Sequence, residues 1–218
     1  MGTPEETRRQ LIDAAETLFA DRGIDAVSLR EINSAAGQRN ATALQYHFGD
    51  RQGLLRAVMT KHHPEVEARR HALLDELEGS SQLDLRALSA ALVRPPASKL
   101  ADAAGGRAYL RIAAQLVNRP DPHFDPTSLT DAAASINRWR QMVGPLMPEQ
   151  AVNRLHRRFT AIRITAVELA RRAEGSERAD DRLFTSHLID LVAAILDAPL
   201  SPETARILES RRAGSRSC

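Results

Sequence analysis

An all-α protein is what this sequence predicts, and three observations predict it. Ala and Leu dominate the apolar residues while aromatics make up 4% of the chain, a bias toward helices over sheets. Apolar residues recur at helical spacing over most of the length, and no period-2 alternation is long enough for a strand. Helix start and stop signals are dense near the N-terminus. The 218 residues suit one small and one medium domain, expected at 1–50 and 51–200, with a basic tail at 201–218.

The elements follow in order. Thr3-Pro4-Glu5-Glu6 is a capping box with Pro at the first helical position, and Leu11, Ile12, Ala15, Leu18 and Phe19 form an apolar stripe up to a stop at Gly23. Ser28-Leu29-Arg30-Glu31 is a second capping box, and Gly37 keeps that helix short. Asn40 offers a third N-cap for a helix from Ala41 to Phe48; Gly49 stops it, and Asp50 caps a fourth. Two short helices joined tightly behind a long one describe a helix-turn-helix.

Downstream, Leu54, Leu55, Val58 and Met59 open a long helix that Pro64 is expected to kink and that reaches Gly79. Leu85, Leu88 and Leu92 mark a helix expected to stop at Pro95-Pro96, and Tyr109 to Leu116 another. The run Asn118–Pro126, with three prolines, reads as a loop. Helices are expected near 127–146, 148–173 and 181–197, nine or ten in all, with Pro199 ending the last.

Composition narrows the function. No run of 18 apolar residues exists and the N-terminal residues are polar, so a cytoplasmic location without membrane insertion is expected. The single cysteine, Cys218, leaves no pair for a disulfide. Residues 1–61 hold 8 Lys/Arg and 8 Asp/Glu, so any nucleic-acid contact there depends on placement and not on bulk charge. His63, Glu67 and His71 share a face at i, i+4 and i+8, but ligands spread over two turns converge poorly on one ion; the reading is an exposed polar face, with no metal and no cofactor.

Residues 41–48 carry the chemistry. Ala41, Leu44 and Phe48 share a face and pack inward; Thr42, Ala43, Gln45 and Tyr46 project away. A small surface with an amide able to pair with adenine suits a major groove, so Gln45 and Thr42 are expected at base edges. Ser28, Tyr46, His47 and Arg51 are expected at phosphates, with Arg39 in the same contact set. A rotated helix would bring Ala43 or Asn40 to the bases instead.

The stretches Ser28-Leu29-Arg30-Glu31-Ile32, Ala36-Gly37 and Tyr46-His47-Phe48-Gly49-Asp50-Arg51 resemble the N-terminal signature of the TetR/AcrR family of transcriptional regulators. The turn before the third helix is one residue longer here, and Gln45 stands where the family often has Tyr. The resemblance covers roughly residues 8–56. It implies a homodimer that binds near-palindromic operator DNA and is released, as a repressor, by a small-molecule effector in the C-terminal domain. On that basis Tyr109, Gln115, Asn118, Asn137, Trp139 and Arg163 are expected around an elongated apolar cavity between residues 85 and 170. Leu155, Phe159, Ile162, Leu188, Val192 and Ile195 are expected at the dimer interface. A constitutive DNA-binding protein without an effector is the alternative. A small helical enzyme is disfavoured, because no phosphate loop, nucleophile elbow or metal motif stands in the sequence.

Overall fold

The computed structural model describes residues 3–38, 42–80, 83–119, 134–175 and 180–214, with side chains through 210. Helix α1 spans Pro4–Arg22, α2 Leu29–Ala35, α3 Ala43–Phe48, α4 Arg51–Thr60, α5 His63–Glu78, α6 Leu85–Ala97 and α7 Gly106–Val117. Then come α8 Ser135–Val143, α9 Glu149–Asn153, α10 Arg157–Glu174, α11 Arg182–Asp197 and α12 Pro202–Gly214. A 3-10 turn, η1 (Ser98–Ala101), joins α6 to α7, and η2 (Gly144–Leu146) follows α8. No strand occurs among the described residues.

Both predicted capping boxes form. Thr3 and Ser28 each accept the backbone N–H three residues on, and Glu6 and Glu31 reciprocate. The second box closes α2, which has only 7 residues, while α3 has 6 and no side-chain cap; both are too short to hold together without packing. They dock Ile32 and Leu44 onto the stripe of α1, where Leu11, Ala15 and Phe19 are fully buried.

Twelve α-helices are described, more than the sequence suggested. The long helix after residue 51 breaks at Lys61-His62, which places Pro64 in the first turn of α5, where its missing N–H removes no bond; it therefore starts a helix instead of kinking one. The segment after Pro148 splits at His156, which has a left-handed φ of 51°. Pro95 and Pro96 do not stop α6; they lie in its last turns, and Ser98 Oγ donates to the Pro95 carbonyl as the chain tightens into η1. The basic tail contains α12. Residues 127–133, where another helix was expected to start, lie outside the described set.

Two expected interface residues belong to the core of the single chain. Leu188 is 1% exposed and Val192 fully buried, because that face of α11 packs against α6. The outward face of α10 and α11 instead carries Phe159, Leu183 and Leu191, 48%, 83% and 43% exposed. Leu155, Ile162 and Ile195 are half-buried between the two environments.

The corner between α3 and α4 depends on Gly53. A Cβ there would sit 1.9 Å from the Phe48 carbonyl oxygen, which itself accepts the Asp50 N–H. Helix propensity alone makes Gly53→Ala stabilising by about 1 kcal/mol. The close approach reverses the sign: a loss of about 1–3 kcal/mol in denaturant unfolding is expected. A gain in stability would show that the two helices are not this close.

Candidate nucleic-acid interface and its mounting

The candidate reading surface is built on α3. Leu44 is buried and Phe48 packs on the core beneath the Arg8 guanidinium, 5.5 Å from its ring centroid. Fixing that face turns Gln45 and Tyr46 to solvent, and Tyr46 is 82% exposed. Thr42 is exposed at the N-cap, and His47 is half-buried with its ring 5.0 Å from that of Tyr46. Ala43 departs from expectation: it is half-buried and packs on the core, since the helix begins at residue 43 and its first turn leans inward. Arg39, Asn40 and Ala41, including the expected N-cap and one alternative base contact, lie outside the described residues.

Two expected phosphate contacts are already engaged. The Ser28 hydroxyl donates to Glu31 Oε2 at 2.7 Å and accepts the Glu31 N–H, so both its functions serve the cap. The Arg51 guanidinium reaches back to the Ile24 carbonyl at 2.6 Å, which braces the α1–α2 turn. Arg22 pairs with Glu31 at 2.8 Å. Hydrogen bonds from the Ser28 backbone and hydroxyl, then from Arg22, hold the Glu31 carboxyl at about 2.

The three-helix head is mounted on the remaining helices through a buried polar junction that pattern reasoning missed. Glu16, 4% exposed, accepts from Lys61 Nζ at 2.7 Å through Oε2 and contacts His62 Nε2 at 2.7 Å through Oε1. His62 is 2% exposed, and its Nδ1 lies 3.4 Å from Asp102 Oδ2. Asp102 accepts from Lys99 at 2.9 Å, and Lys99 also donates to Glu65. Burial opposes the charge on Lys99, but these two bonds outweigh it and raise its pKa. Gly105, at φ +102°, leaves room for the carboxylate: a Cβ there would lie 2.2 Å from Glu16 Oε2. One signal was legible in the sequence: Glu16 interrupts the apolar stripe of α1 between Ile12 and Phe19.

The residues expected around an effector spend their polar groups on different partners. Trp139 is fully buried and donates from Nε1 to the Leu88 carbonyl at 2.8 Å, as a core residue joining α8 to α6. Gln115 faces the head: its Oε1 accepts the Ile24 N–H at 2.9 Å and its Nε2 donates to the Phe19 carbonyl at 3.0 Å. Asn118 accepts from Arg163 Nε at 3.1 Å, and Arg163 lies over the exposed Phe159 ring. Asn137 is nearly buried on α8 and accepts from Arg140 at 3.4 Å. Tyr109 does point inward: burial pushes its hydroxyl up to about 12, and the oxygen lies 3.4 Å from His63 Nδ1. The surface grooves at Leu85, Leu146 and Ala194 and at Leu155 and Ile207 involve none of these six residues.

The polar face of α5 is not simply solvated. Glu67 accepts both the Ser135 N–H, at 2.8 Å, and its hydroxyl, at 2.7 Å, so it caps α8 from another helix. Arg70, 6% exposed, pairs with Glu67 at 3.1 Å and donates to Ser135 Oγ at 2.7 Å, while its Nε has no partner. Among the described residues no cluster of His, Cys, Asp or Glu is arranged to hold a metal ion. No single described helix is long and apolar enough to cross a membrane.

A trihelical unit with a capped second helix and an outward-facing third is a helix-turn-helix DNA-binding domain. Residues 11–58 match the family described as bacterial regulatory proteins, tetR family. A transcriptional repressor of Rhodococcus jostii (strain RHA1), KstR2, is 34% identical over 92 residues, 39% of each chain. The aligned part thus spans well under half the length of that relative. Over longer stretches the fold is similar to AmtR of Mycobacterium smegmatis, with TM-score 0.57 and 20% identity over 94% of each chain. It is also similar to a probable transcriptional regulatory protein, RHA5900, with TM-score 0.56 and 20% identity over 89% of this chain and 100% of that one. Residues 11–58 are therefore a DNA-binding domain of the tetR family of bacterial regulatory proteins.

The depressed carboxyl of Glu31 gives a pH prediction. A carboxylate with a lowered folded-state pKa stabilises above its ordinary value and ceases to do so as pH falls through the folded value. Glu31→Ala is therefore less stable than the unmodified chain at neutral pH, and the gap narrows between pH 4.5 and about 2. Thermal melts across that range measure it; a constant gap would contradict the cap.

Proposed function

We propose that the chain is an effector-released repressor that binds a near-palindromic operator as a homodimer in the cytoplasm. The observation that carries the reading is the rigidly backed α3. Gln45 and Tyr46 face solvent from a six-residue helix whose opposite side is locked by Leu44 and Phe48. Such a surface enters a major groove, with the Gln45 amide suited to adenine and the Thr42 methyl and hydroxyl to a neighbouring base edge. Tyr46 and His47 suit phosphates at its rim. Arg51 and Ser28 support the head from behind, and any phosphate contact from them is shared with those bonds.

The partner of the dimer is the exposed face of α10 and α11. Phe159, Leu183 and Leu191 form an apolar surface there, flanked by the half-buried Ile162 and Ile195. An effector would lodge among α5, α7 and α8, where the buried Tyr109 hydroxyl and the unpaired Arg70 Nε stand beside the Glu67–Ser135 pair as polar anchors. Operator DNA and effector select different states of the protein, so each weakens the binding of the other equally.

Selection of bound duplexes from a random pool tests the reading, followed by Gln45→Ala and Phe159→Asp. Gln45→Ala should relax preference at one base pair by about 1–3 kcal/mol while leaving the salt dependence of binding unchanged. Phe159→Asp should leave a folded chain that sediments as a monomer. A pool that yields no consensus would overturn the function. Equal weakening on every sequence by Gln45→Ala would reassign the reading face.

A further inference from the structure

Helix α7 holds the head at its far end. Arg111, Gln115 and Arg119 stand at i, i+4 and i+8 and all reach the end of α1 or the turn after it. Arg111 pairs with Asp21 at 2.7 Å. Gln115 bonds the Phe19 carbonyl and the Ile24 N–H, and Ile24 is 1% exposed. Arg119 grips both carboxylate oxygens of Asp25 at 2.5 Å. Two residues of α7 and one just past its C-cap therefore fasten one segment, residues 19–25.

Of the head's other connections, Arg51 of α4 also reaches the Ile24 carbonyl, and a second group lies at the corner between α4 and α5, the pivot about which the head would turn. The chain passes from α4 to α5 through Lys61 and His62, and those same residues bind Asp13 and Glu16 in the middle of α1. A connection at the pivot fixes where the head turns. A connection away from it fixes the angle. The Gln115 amide adds directionality, because one planar group both donates to and accepts from adjacent backbone positions.

We propose that Arg111, Gln115 and Arg119 are positioning residues that set the pitch of the DNA-reading head, and so determine which half-site spacing the protein accepts. The inference rests on the dimeric operator-binding reading above. In a two-fold dimer the angle of each head sets the separation of the two α3 helices. One base pair of extra spacer displaces a half-site by about 3.4 Å and rotates it by about 34°. A firmly held head resists both changes; a released head follows them.

The experiment uses the full-length chain and duplexes that the unmodified protein selects from a random pool. Spacers are then shortened and lengthened by one and two base pairs. The unmodified chain should prefer one spacing sharply. In Arg111→Ala/Gln115→Ala/Arg119→Ala that preference should shrink by about fivefold or more, while base discrimination within a half-site stays unchanged. Simple destabilisation would instead weaken every spacing alike, and that result overturns the proposal. Should the triple variant fail to fold, judged by its circular dichroism, Gln115→Leu alone is the test, with the same two outcomes. An unmodified chain with no spacing preference would overturn the dimeric reading and this inference together. A sharp preference retained in the variants overturns this inference alone.

Discussion

Glu16 puts an ionisable carboxylate inside the contact between the reading head and the rest of the chain, and the local architecture answers to it. Removing a charge from water carries a penalty of several kcal/mol unless partners meet it at close range. Here Lys61 and His62 meet it at 2.7 Å each, from the corner that links α4 to α5. The same carboxylate rests against Gly105, where any larger residue would collide with it. Two parts of the chain distant in sequence from α1 therefore converge on one of its side chains. Sliding α1 by a turn would leave a buried charge unpaired, so the junction defines a register that apolar packing alone would leave looser.

The head built on that register is economical in helix and rich in caps. Its second and third helices are too short to persist alone, and they hold because Ser28 and Glu31 close one terminus while Ile32 and Leu44 fill the core beneath α1. Rigidity of this kind is what a reading helix needs. The positions of Gln45 and Tyr46 are set by what lies behind them, so under the proposed reading, sequence preference would follow from packing as much as from the exposed groups.

Local punctuation was the part most legible in the sequence. Capping boxes, glycine stops and the apolar stripe of α1 placed α1, α2 and the start of α4, because each signal acts within a few residues, while α3 opens two residues later than its expected cap implied. Pro64 was misjudged because a proline favours a first turn as readily as it disrupts an interior, and the break at Lys61-His62 is set by tertiary contacts. Leu188 and Val192 were expected at an interface because an amphipathic stripe shows that a face is covered without showing by what; α6 covers it. Gln115 and Trp139 were misjudged for a related reason. A polar or aromatic residue on a helix that borders the interior has several available partners, and only the spatial arrangement selects the Ile24 backbone for one and the Leu88 carbonyl for the other.

The central claim is that this chain reads DNA with α3 while α1 and α7 hold that helix in place. Hydrogen exchange of the full-length chain, with and without its selected duplex, tests it most directly. The account predicts added protection across residues 42–48 and the start of α2, with α7 and the end of α1 already protected in the free chain. Protection by DNA elsewhere, with residues 42–48 unchanged, would contradict it.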